Sequence, residues 1–460
     1  MIILDMIASV NPATGRIVKK FREASKKEVL AAIARARVGQ RVWAAKTKNE
    51  RIVVMQRLKE VIREYSDEVE DVVRREVGYS PLQEGELTDI ALGIDYYCSR
   101  YARLKSVDVP ILPELLPKTS AVVDFVPHGV IGHIGIWNYP FWQTMISVIP
   151  ALLAGNAVVY KPAEYTSMTG LKIADLLYAA GIPKDVFIPV IGGASVGKLI
   201  VQSDVDAIVF TGGIETGKWI VKNARIKPLV LELSGNDAGI VCADAVIDLA
   251  VRGVCFGTFT HAGQSCIRIK RVYVVKEIAK EFIDGLVKCV REIQGKSTMP
   301  MIRKDARAQV HARVQQAIRK GAKLLAGGVL PKEEGFFYPP TVLLVKDDSL
   351  KVMKSETFGP VCSVMVVKDE AEAIQRANAS SYGLGGSVWT RDLENGRRIA
   401  GRLETGTVWI NECCIPLVCG EYNQGWKQSS IPSSQERLML FLKKRAVMTH
   451  ASSDKRAWWP

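Results

Sequence analysis

One cysteine of the chain, Cys266, has neighbours and a position that suit nucleophilic chemistry. It lies in the segment 260–266, after an apolar run (245–259) that predicts a buried helix and before an alternating segment (269–275) that predicts a strand. Gly263 lets the backbone bend there, which leaves the sulfur able to meet a ligand. Because an unpaired cysteine is more often a small core residue, a catalytic role requires partners that converge on it.

Two other polar side chains could be those partners. Asn138 follows a predicted strand, and its amide can donate to an oxygen that becomes negative during a reaction. Glu232 ends another predicted strand, and a carboxylate near a thiol can deprotonate water. Taken singly, an Asn before Tyr-Pro is a common turn former, and a Glu at a strand end can simply face solvent. We therefore predict that Cys266, Asn138 and Glu232 meet at one catalytic site.

Six short motifs, in this order, resemble those of the aldehyde dehydrogenase family. They are Trp137-Asn138-Tyr139-Pro140, Lys161-Pro162-Ala163-Glu164, Phe210-Thr211-Gly212 with Gly217, Glu232-Leu233-Ser234-Gly235, Gly263-Gln264-Ser265-Cys266 with Arg271, and Glu356-Thr357-Phe358-Gly359-Pro360. The resemblance runs from about Asn11 to Lys427. It implies oxidation of an aldehyde to a carboxylic acid with hydride transfer to NAD(P), through a covalent thiohemiacetal and then a thioester on Cys266.

The resemblance also implies which residues bind the cofactor. Lys161 and Glu164 match family residues that bind the adenosine ribose, while Glu356 matches one that binds the nicotinamide ribose and Phe358 one that packs on the nicotinamide. A carboxylate accepts hydroxyl hydrogen bonds but repels a 2′-phosphate, so Glu164 favours NAD, with NADP possible. The other predicted contacts lie at strand ends and turns: Ile136, Trp137, Gly197, Phe210, Thr211, Gly212 and Gly213.

Glycine-rich turns precede two of the predicted helices. The turn that ends in Gly213 offers free N–H groups to a diphosphate at a helix N-terminus. Gly197 is expected to let the adenine or ribose pack close to the next helix. Glycine also closes turns that bind nothing, and relatives usually have Ser at the position of Gly213. A hydroxyl contact to the cofactor is therefore missing here.

Short apolar runs alternate with helical stretches from residue 128 onwards. The predicted strands are 130–136, 157–160, 186–191, 206–210 and 229–233, and the predicted helices between them are 144–154, 167–180, 195–201 and 215–222. Such alternation predicts a parallel sheet with helices on both faces and ligands at the carboxyl ends of its strands. The predicted fold class is α/β, with a Rossmann-like NAD-binding domain, an α/β catalytic domain and a small β oligomerisation element.

The domain boundaries follow from these patterns and from the resemblance. Residues 1–106 and 128–234 are assigned to the NAD-binding domain, 235–433 to the catalytic domain, and 107–127 with 434–460 to the oligomerisation element. The first hundred residues are predicted to be helical, with capping boxes at Ser25/Glu28 and Thr47/Glu50. In relatives a hairpin near residues 107–126 joins subunits, and its unpaired edges favour the same outcome. A homodimer or homotetramer is expected.

Bulk properties narrow the list of partners. The net charge of +14 over 460 residues is scattered, which favours solubility or binding of an anionic cofactor over a nucleic-acid partner. The apolar start, residues 1–10, is too short to span a membrane and has no cleavage pattern. We expect no membrane partner and a cytoplasmic location. Nine scattered cysteines, five dispersed histidines and the cluster Cys413, Cys414 and Cys419 without a nearby His predict no disulfide framework and no metal.

Two alternative functions stay open. A coenzyme A-acylating relative would pass the acyl group to a thiol instead of water, although such relatives commonly lack a base at the position of Glu232. A non-catalytic binding protein on the same fold would not need Cys266, Asn138, Glu232 and Glu356 together.

The sequence departs from its relatives in two stretches. Ser234 to Asp237 replaces a Gly-Gly-Lys sequence at the link between the domains. Residues 411–426 replace the segment that lines the substrate tunnel in relatives, and their mostly apolar or soft side chains favour a hydrophobic or aromatic aldehyde over a highly charged one.

Overall fold

Two large sheets organise the computed structural model, which describes residues 6–112, 116–294, 299–415, 425–431 and 436–452. One sheet has five strands and the other has seven, and three smaller sheets accompany them. Helices cover both large sheets, and each sheet contributes to its own buried apolar clusters. The predicted α/β fold class is confirmed.

A β-hairpin precedes the first helix, so the prediction of a wholly helical first hundred residues is wrong. Strands β1 (Met6–Asn11) and β2 (Arg16–Arg22) pair antiparallel, and Gly15 closes their turn at φ 69°. Only Phe21 of β2 is buried, so these strands carry little hydrophobic pattern. Four helices follow: α1 (Lys26–Ala45), α2 (Lys48–Glu64), α3 (Ser66–Glu76) and α4 (Glu86–Arg103).

Both predicted capping boxes are confirmed. The Ser25 side chain accepts from the Glu28 N–H at 3.3 Å, and the Glu28 carboxylate accepts from the Ser25 N–H at 2.8 Å. Thr47 and Glu50 repeat the arrangement at the start of α2. Each box satisfies backbone donors that the first helical turn leaves free, which fixes where these helices begin.

The five-stranded sheet is parallel throughout. Its strands are β5 (Val130–Ile134), β6 (Ala157–Lys161), β7 (Phe187–Pro189), β8 (Ala207–Thr211) and β9 (Leu229–Glu232), in the order β7-β6-β5-β8-β9. Helices α5 (Pro140–Leu153), α6 (Ser167–Ala180), α7 (Ala194–Gln202) and α8 (Ile214–Asn223) connect them. The chain moves outward from β5 to β7 and then crosses to β8. This reversal of strand order opens a crevice at the carboxyl ends, where ligands of such sheets bind.

The seven-stranded sheet is parallel except for its edge strand β12. Its strands are β10 (Asp237–Val241), β11 (Ile269–Val275), β12 (Lys323–Ala326), β13 (Thr341–Leu344), β14 (Val361–Val367), β16 (Gly385–Trp389) and β17 (Thr407–Ile410), in the order β12-β13-β14-β11-β10-β16-β17. Its helices are α9 (Ile247–Phe259), α10 (Ala279–Gln294), α11 (Lys304–Arg319), α12 (Lys351–Lys354), α13 (Glu370–Asn378) and α14 (Leu393–Ala400). A separate two-stranded sheet pairs β15 (Tyr382–Gly383) with β18 (Trp426–Lys427).

A three-stranded sheet stands apart from both cores. It contains β3 (Val107–Asp108), β4 (Thr119–Pro127) and β19 (Leu442–His450), in the order β19-β4-β3. The C-terminal strand β19 lies in the segment 434–460 that we assigned to the oligomerisation element, and it pairs with β4 of its own chain from Leu442↔Pro127 to His450↔Thr119. Across the described ranges, no helix is long and apolar enough to cross a bilayer.

Candidate active site

A cavity of about 300 Å³ lies at the carboxyl edge of the five-stranded sheet. Its wall includes the three predicted catalytic side chains, Cys266, Asn138 and Glu232. Asn138 follows β5, Glu232 ends β9, and Cys266 precedes β11 of the seven-stranded sheet. Side chains far apart in the sequence therefore meet at one surface, as the sequence predicts.

The backbone before Cys266 is strained. His261, Ala262 and Gly263 have φ values of 53°, 51° and 66°, in the left-handed region. That region costs a residue with a side chain about 1–2 kcal/mol. A Cβ at Gly263 would lie 2.4 Å from the carbonyl oxygen of Gly359, so only glycine fits. The Gly-Gln-x-Cys and Phe-Gly-Pro motifs thus pack directly against each other.

Side-chain contacts hold this turn in place. The buried His261 ring lies 4.5 Å from the ring centroids of both Tyr79 and Tyr139. Burial lowers the pKa of His261 to about 3, so its imidazole is neutral. The Gln264 amide donates to the carbonyl of Pro300 at 3.1 Å and accepts from the N–H of Ile302 at 2.9 Å. These contacts offset the strain and fix the position of the sulfur.

The thiol of Cys266 is difficult to ionise in this setting. Its pKa is raised to about 12, chiefly by burial; the ammonium of Lys270 lowers it, and the carboxylates of Glu356, Asp237 and Glu232 contribute to the rise. At neutral pH the resting group is therefore a thiol. Nucleophilic attack requires additional positive charge beside the sulfur.

Asn138 is held against the nucleophile turn. Its buried amide nitrogen donates to the Gln264 carbonyl at 2.9 Å. An amide nitrogen carries two hydrogens, so one donor remains for a ligand in the cavity that Asn138 lines. This geometry suits stabilisation of an oxyanion formed on a carbon bound to Cys266.

Glu232 is paired with Arg437, which none of the sequence motifs indicates. Oε1 of Glu232 lies 3.4 Å from Nη2 of Arg437, and both side chains are largely buried. Burial raises the pKa of Glu232, and Arg437 partly opposes this. Arg437 is the first residue of the 3₁₀ turn Arg437–Phe441, whose other residues are apolar. In the sequence it is therefore visible only as one charged residue before an apolar run. Its position beside the predicted base makes it part of the site.

The predicted adenosine-side residues form one group. Nζ of Lys161, at the end of β6, donates to the carbonyls of Pro162 and Gly192 at 2.7 and 2.9 Å. It also lies 3.8 Å from Oε2 of the half-exposed Glu164. A Cβ at Gly197 would touch the Lys161 side chain at 3.7 Å. The predicted adenosine-side residues therefore lie next to one another at the edge of the sheet.

The turn from β8 to α8 contains four predicted contacts. Phe210 and Thr211 end the strand, and Gly212 and Gly213 lead into the helix. A Cβ at Gly213 would meet nothing within 4 Å, which leaves the helix N-terminus open to a ligand. Thr211 also lines the cavity of Cys266. The unpaired N–H groups of a helix N-terminus suit a phosphate.

The predicted nicotinamide-side residues come from the ends of elements in both large sheets. Ile136 and Trp137 follow β5, while Glu356 and Phe358 lie between α12 and β14. The rings of Trp137 and Phe358 are 5.5 Å apart and nearly perpendicular. Within the described residues, Oε1 of Glu356 is buried without a hydrogen-bond donor and lies 3.3 Å from Nζ of Lys270. A buried carboxylate oxygen with this much accepting capacity left fits a ribose hydroxyl, so this set of donors and acceptors is compatible with a dinucleotide.

The two stretches that depart from relatives are partly described. Residues 416–424 of the predicted tunnel segment, including Cys419, lie outside the described residues, whereas Cys414 and Ile415 line the cavity. In the other stretch, Ser234 to Asp237, the Asn236 side chain donates to the Met353 carbonyl at 2.8 Å. In the part of the chain that the structure describes, no group of three His, Cys, Asp or Glu side chains could hold a metal ion.

Comparison with known proteins places this chain in a family. A model of the aldehyde dehydrogenase family matches residues 4–445. Betaine aldehyde dehydrogenase of Bacillus subtilis is 36% identical over 423 residues, covering 88% of this chain and 85% of that protein. A Mycolicibacterium smegmatis protein assigned as a succinate-semialdehyde dehydrogenase [NADP(+)] is 37% identical over 414 residues, covering 87% and 79%.

Solved structures agree over nearly the whole chain. Lactaldehyde dehydrogenase of Escherichia coli superposes with a TM-score of 0.92 at 29% identity, covering 97% of this chain and 96% of that one. A point mutant of betaine aldehyde dehydrogenase from Staphylococcus aureus, in complex with NAD+ and with a BME-modified cysteine, gives a TM-score of 0.94 at 29% identity, covering 99% and 96%. The chain belongs to the aldehyde dehydrogenase family.

Proposed function

We propose that this chain oxidises an aldehyde to a carboxylic acid through a thioester on Cys266, with NAD(P) as the hydride acceptor. One observation carries the proposal: Cys266, Asn138 and Glu232 line a single cavity beside the dinucleotide crevice. A nucleophile, an oxyanion donor and a base are the three functions that this reaction needs.

Each of these residues has a defined step. The Cys266 thiol loses its proton to solvent, and the resulting thiolate attacks the aldehyde carbon. The carbonyl electron pair moves onto oxygen, where the Asn138 amide and the Cys266 backbone N–H donate to it. Bound NAD(P) supplies the chemistry of a hydride acceptor, and loss of hydride leaves a thioester on Cys266. Glu232 then takes a proton from water, whose oxygen attacks the thioester carbon. The carboxylic acid leaves and the thiolate is restored.

The position of Glu232 supports hydrolysis over transfer to coenzyme A. The carboxylate reaches the same cavity as the thiol, so a water molecule between them can be deprotonated as it attacks. The test is NAD(P)H formation across a panel of aldehydes, with the acid and any acyl-coenzyme A product quantified. Acyl-coenzyme A as the main product would favour the acylating alternative. Absence of NAD(P)H with every aldehyde would contradict the proposal.

A hydrophobic or aromatic aldehyde is the substrate class that we propose. Tyr139, Trp142 and Phe256 line the cavity. The nearby carboxylates of Glu86 and Asp89 accept hydrogen bonds at 2.6 Å from the hydroxyl of Tyr79 and the indole of Trp142, so they are held by the protein. Activity restricted to charged aldehydes in the panel would contradict this assignment.

Glu164 is expected to set a preference for NAD. The Glu164→Gln variant keeps the hydrogen-bonding shape but removes the charge that repels a 2′-phosphate. We expect kcat/KM with NADP to rise relative to NAD by roughly tenfold, the effect of relieving about 1–2 kcal/mol of repulsion. Steady-state kinetics with both cofactors measures this ratio. Glu281→Gln, on the exposed face of α10, is the matched control, and an unchanged ratio in Glu164→Gln would refute the role.

We propose that the three-stranded sheet joins subunits in a dimer or tetramer. Val447 and Met448 of β19 are 38% and 62% exposed, and Val107 of β3 is 52% exposed. Exposed apolar strands at a sheet that stands apart from the cores favour burial against another copy.

Met448→Glu is expected to weaken that assembly, because it places a charge in an apolar interface. Size-exclusion chromatography with light scattering should show a shift toward the 50.7 kDa mass of one chain. Met6→Glu is the matched control, since Met6 is an exposed methionine (57%) on another hairpin. A monomeric wild type, or a Met448→Glu variant of unchanged mass, would contradict the proposal.

A further inference from the structure

We propose that Lys270 is a positioning residue for the nucleophile: its buried ammonium ties the Cys266 turn to the Glu356 carboxylate and supplies positive charge for the Cys266 thiolate. This inference rests on the proposed function, because it takes Cys266 as the nucleophile. Lys270 is the second residue of β11, and it is not among the residues that define the six motifs.

The contacts of Lys270 are directed at the nucleophile turn. Its side chain is 1% exposed, and Nζ donates to the carbonyl of Cys266 at 2.7 Å and to that of Ser265 at 3.1 Å. The same nitrogen lies 3.3 Å from Oε1 of Glu356. The ammonium therefore bridges the backbone of the nucleophile and the carboxylate that we assign to the nicotinamide ribose.

Buried carboxylates lie close to Lys270. Asp237 is 3% exposed, and among the described residues no side chain donates a hydrogen bond to its carboxylate, which faces the backbone N–H of Gly385. Burial raises the pKa of Asp237 to about 7, while Lys270 lowers it. Asp237 and Glu356 both interact with the Lys270 ammonium, and Arg268 and Arg271 also interact electrostatically with Asp237. Lys270 is the cation that lowers the pKa of Cys266, through its ammonium. A new negative charge on Cys266 depends on that ammonium, because buried charges are costly without a partner.

Arg268 and Arg271 are also buried cations near Lys270, and both donate hydrogen bonds to backbone carbonyls. Arg268 donates to the carbonyls of Thr258 and Val361 at 3.3 and 3.2 Å. Arg271 donates to the Asn236 carbonyl at 2.9 Å. Both guanidinium groups therefore hold the framework. The charged groups that face Cys266 are Lys270, which lowers its pKa, and Glu356, Asp237 and Glu232, which raise it.

The test is the pH dependence of Cys266 alkylation by iodoacetamide in the full-length protein, with the Cys266 peptide quantified by mass spectrometry. Lys270→Met should move the apparent pKa of alkylation up by about one unit, which is about a tenfold slower reaction at a fixed pH below it. Asp237→Asn should move it in the opposite direction. Lys276→Met, at an exposed lysine just after β11, should leave it unchanged. A role limited to packing would not give shifts of opposite sign.

Two further results keep the proposal open to refutation. If Lys270→Met does not fold, the Lys270→Met/Asp237→Asn double variant preserves the net charge of the cluster and should alkylate with a higher apparent pKa than Asp237→Asn. Equal profiles for wild type and Lys270→Met, or for the double variant and Asp237→Asn, would overturn the role of Lys270. If alkylation of Cys266 leaves wild-type activity intact, the proposed function itself fails.

Discussion

Replacing Cys266 with alanine is expected to abolish NAD(P)H formation, with kcat at least about 10⁴-fold lower. Without the sulfur no thiohemiacetal forms, and none of the other side chains in the cavity takes its place in the proposed mechanism. The fold should persist, because the turn is held by His261 and Gln264 and not by the thiol. Steady-state NAD(P)H formation with the best aldehyde of the panel measures the loss.

Cys289→Ala is the matched control for this experiment. Cys289 is a free cysteine on α10, away from the cavity wall, and its removal should leave turnover near that of the wild type. Circular dichroism should show the same fold for both variants. Full steady-state activity in Cys266→Ala would refute the assignment of the nucleophile.

Glu232→Gln is expected to separate the two halves of the reaction. The amide cannot accept a proton from water, so the thioester should accumulate after one hydride transfer. Stopped-flow absorbance should then show a burst of NAD(P)H close to the subunit concentration, followed by a steady rate about 10²–10⁴-fold below wild type. A variant that continues at the wild-type steady rate would show that Glu232 is not the base.

The pH profile provides an independent check on Glu232. Burial raises its pKa, and the protonated acid cannot act as a base, so wild-type deacylation should fall as pH decreases through that raised value. This fall in the deacylation rate at low pH should be absent in Glu232→Gln. In Arg437→Met the fall should occur at higher pH than in wild type, because Arg437 lowers the pKa of Glu232.

Coenzyme A added to stalled Glu232→Gln separates hydrolysis from the acylating alternative. Rapid release of an acyl-coenzyme A would favour the acylating reaction.

The convergence of the main site residues was predictable from the sequence for a physical reason. Asn138 and Glu232 follow or end strands of a parallel sheet, and the carboxyl ends of such strands share one edge. The local strand pattern therefore predicted that these two side chains lie close together in space. The order of strands and helices around the five-stranded sheet followed from the same alternation, and α6 spans the predicted residues 167–180. By contrast, β7 covers only Phe187–Pro189 of the predicted 186–191, and α5 begins at Pro140, before the predicted 144.

Other features depended on contacts between distant residues and left little local trace. Strand β10 is only five residues long and begins with the buried Asp237, so its composition does not favour a strand. Lys270 and Arg437 are charged side chains whose partners lie 86 and 205 positions away, at Glu356 and Glu232. A buried charge has no sequence signature until its partner is known, which is why the motifs led to the nucleophile and the base but not to the cations beside them.

The desolvated setting of Cys266 also bears on how long the enzyme survives in an oxidising cell. Peroxides and stray electrophiles react with thiolates, not with thiols, and burial raises the pKa of this sulfur to about 12. Between catalytic cycles the sulfur is therefore a thiol that reacts slowly. It becomes reactive only when additional positive charge lies beside it, so oxidation or alkylation of the sulfur should be rarer than its role as a nucleophile would suggest.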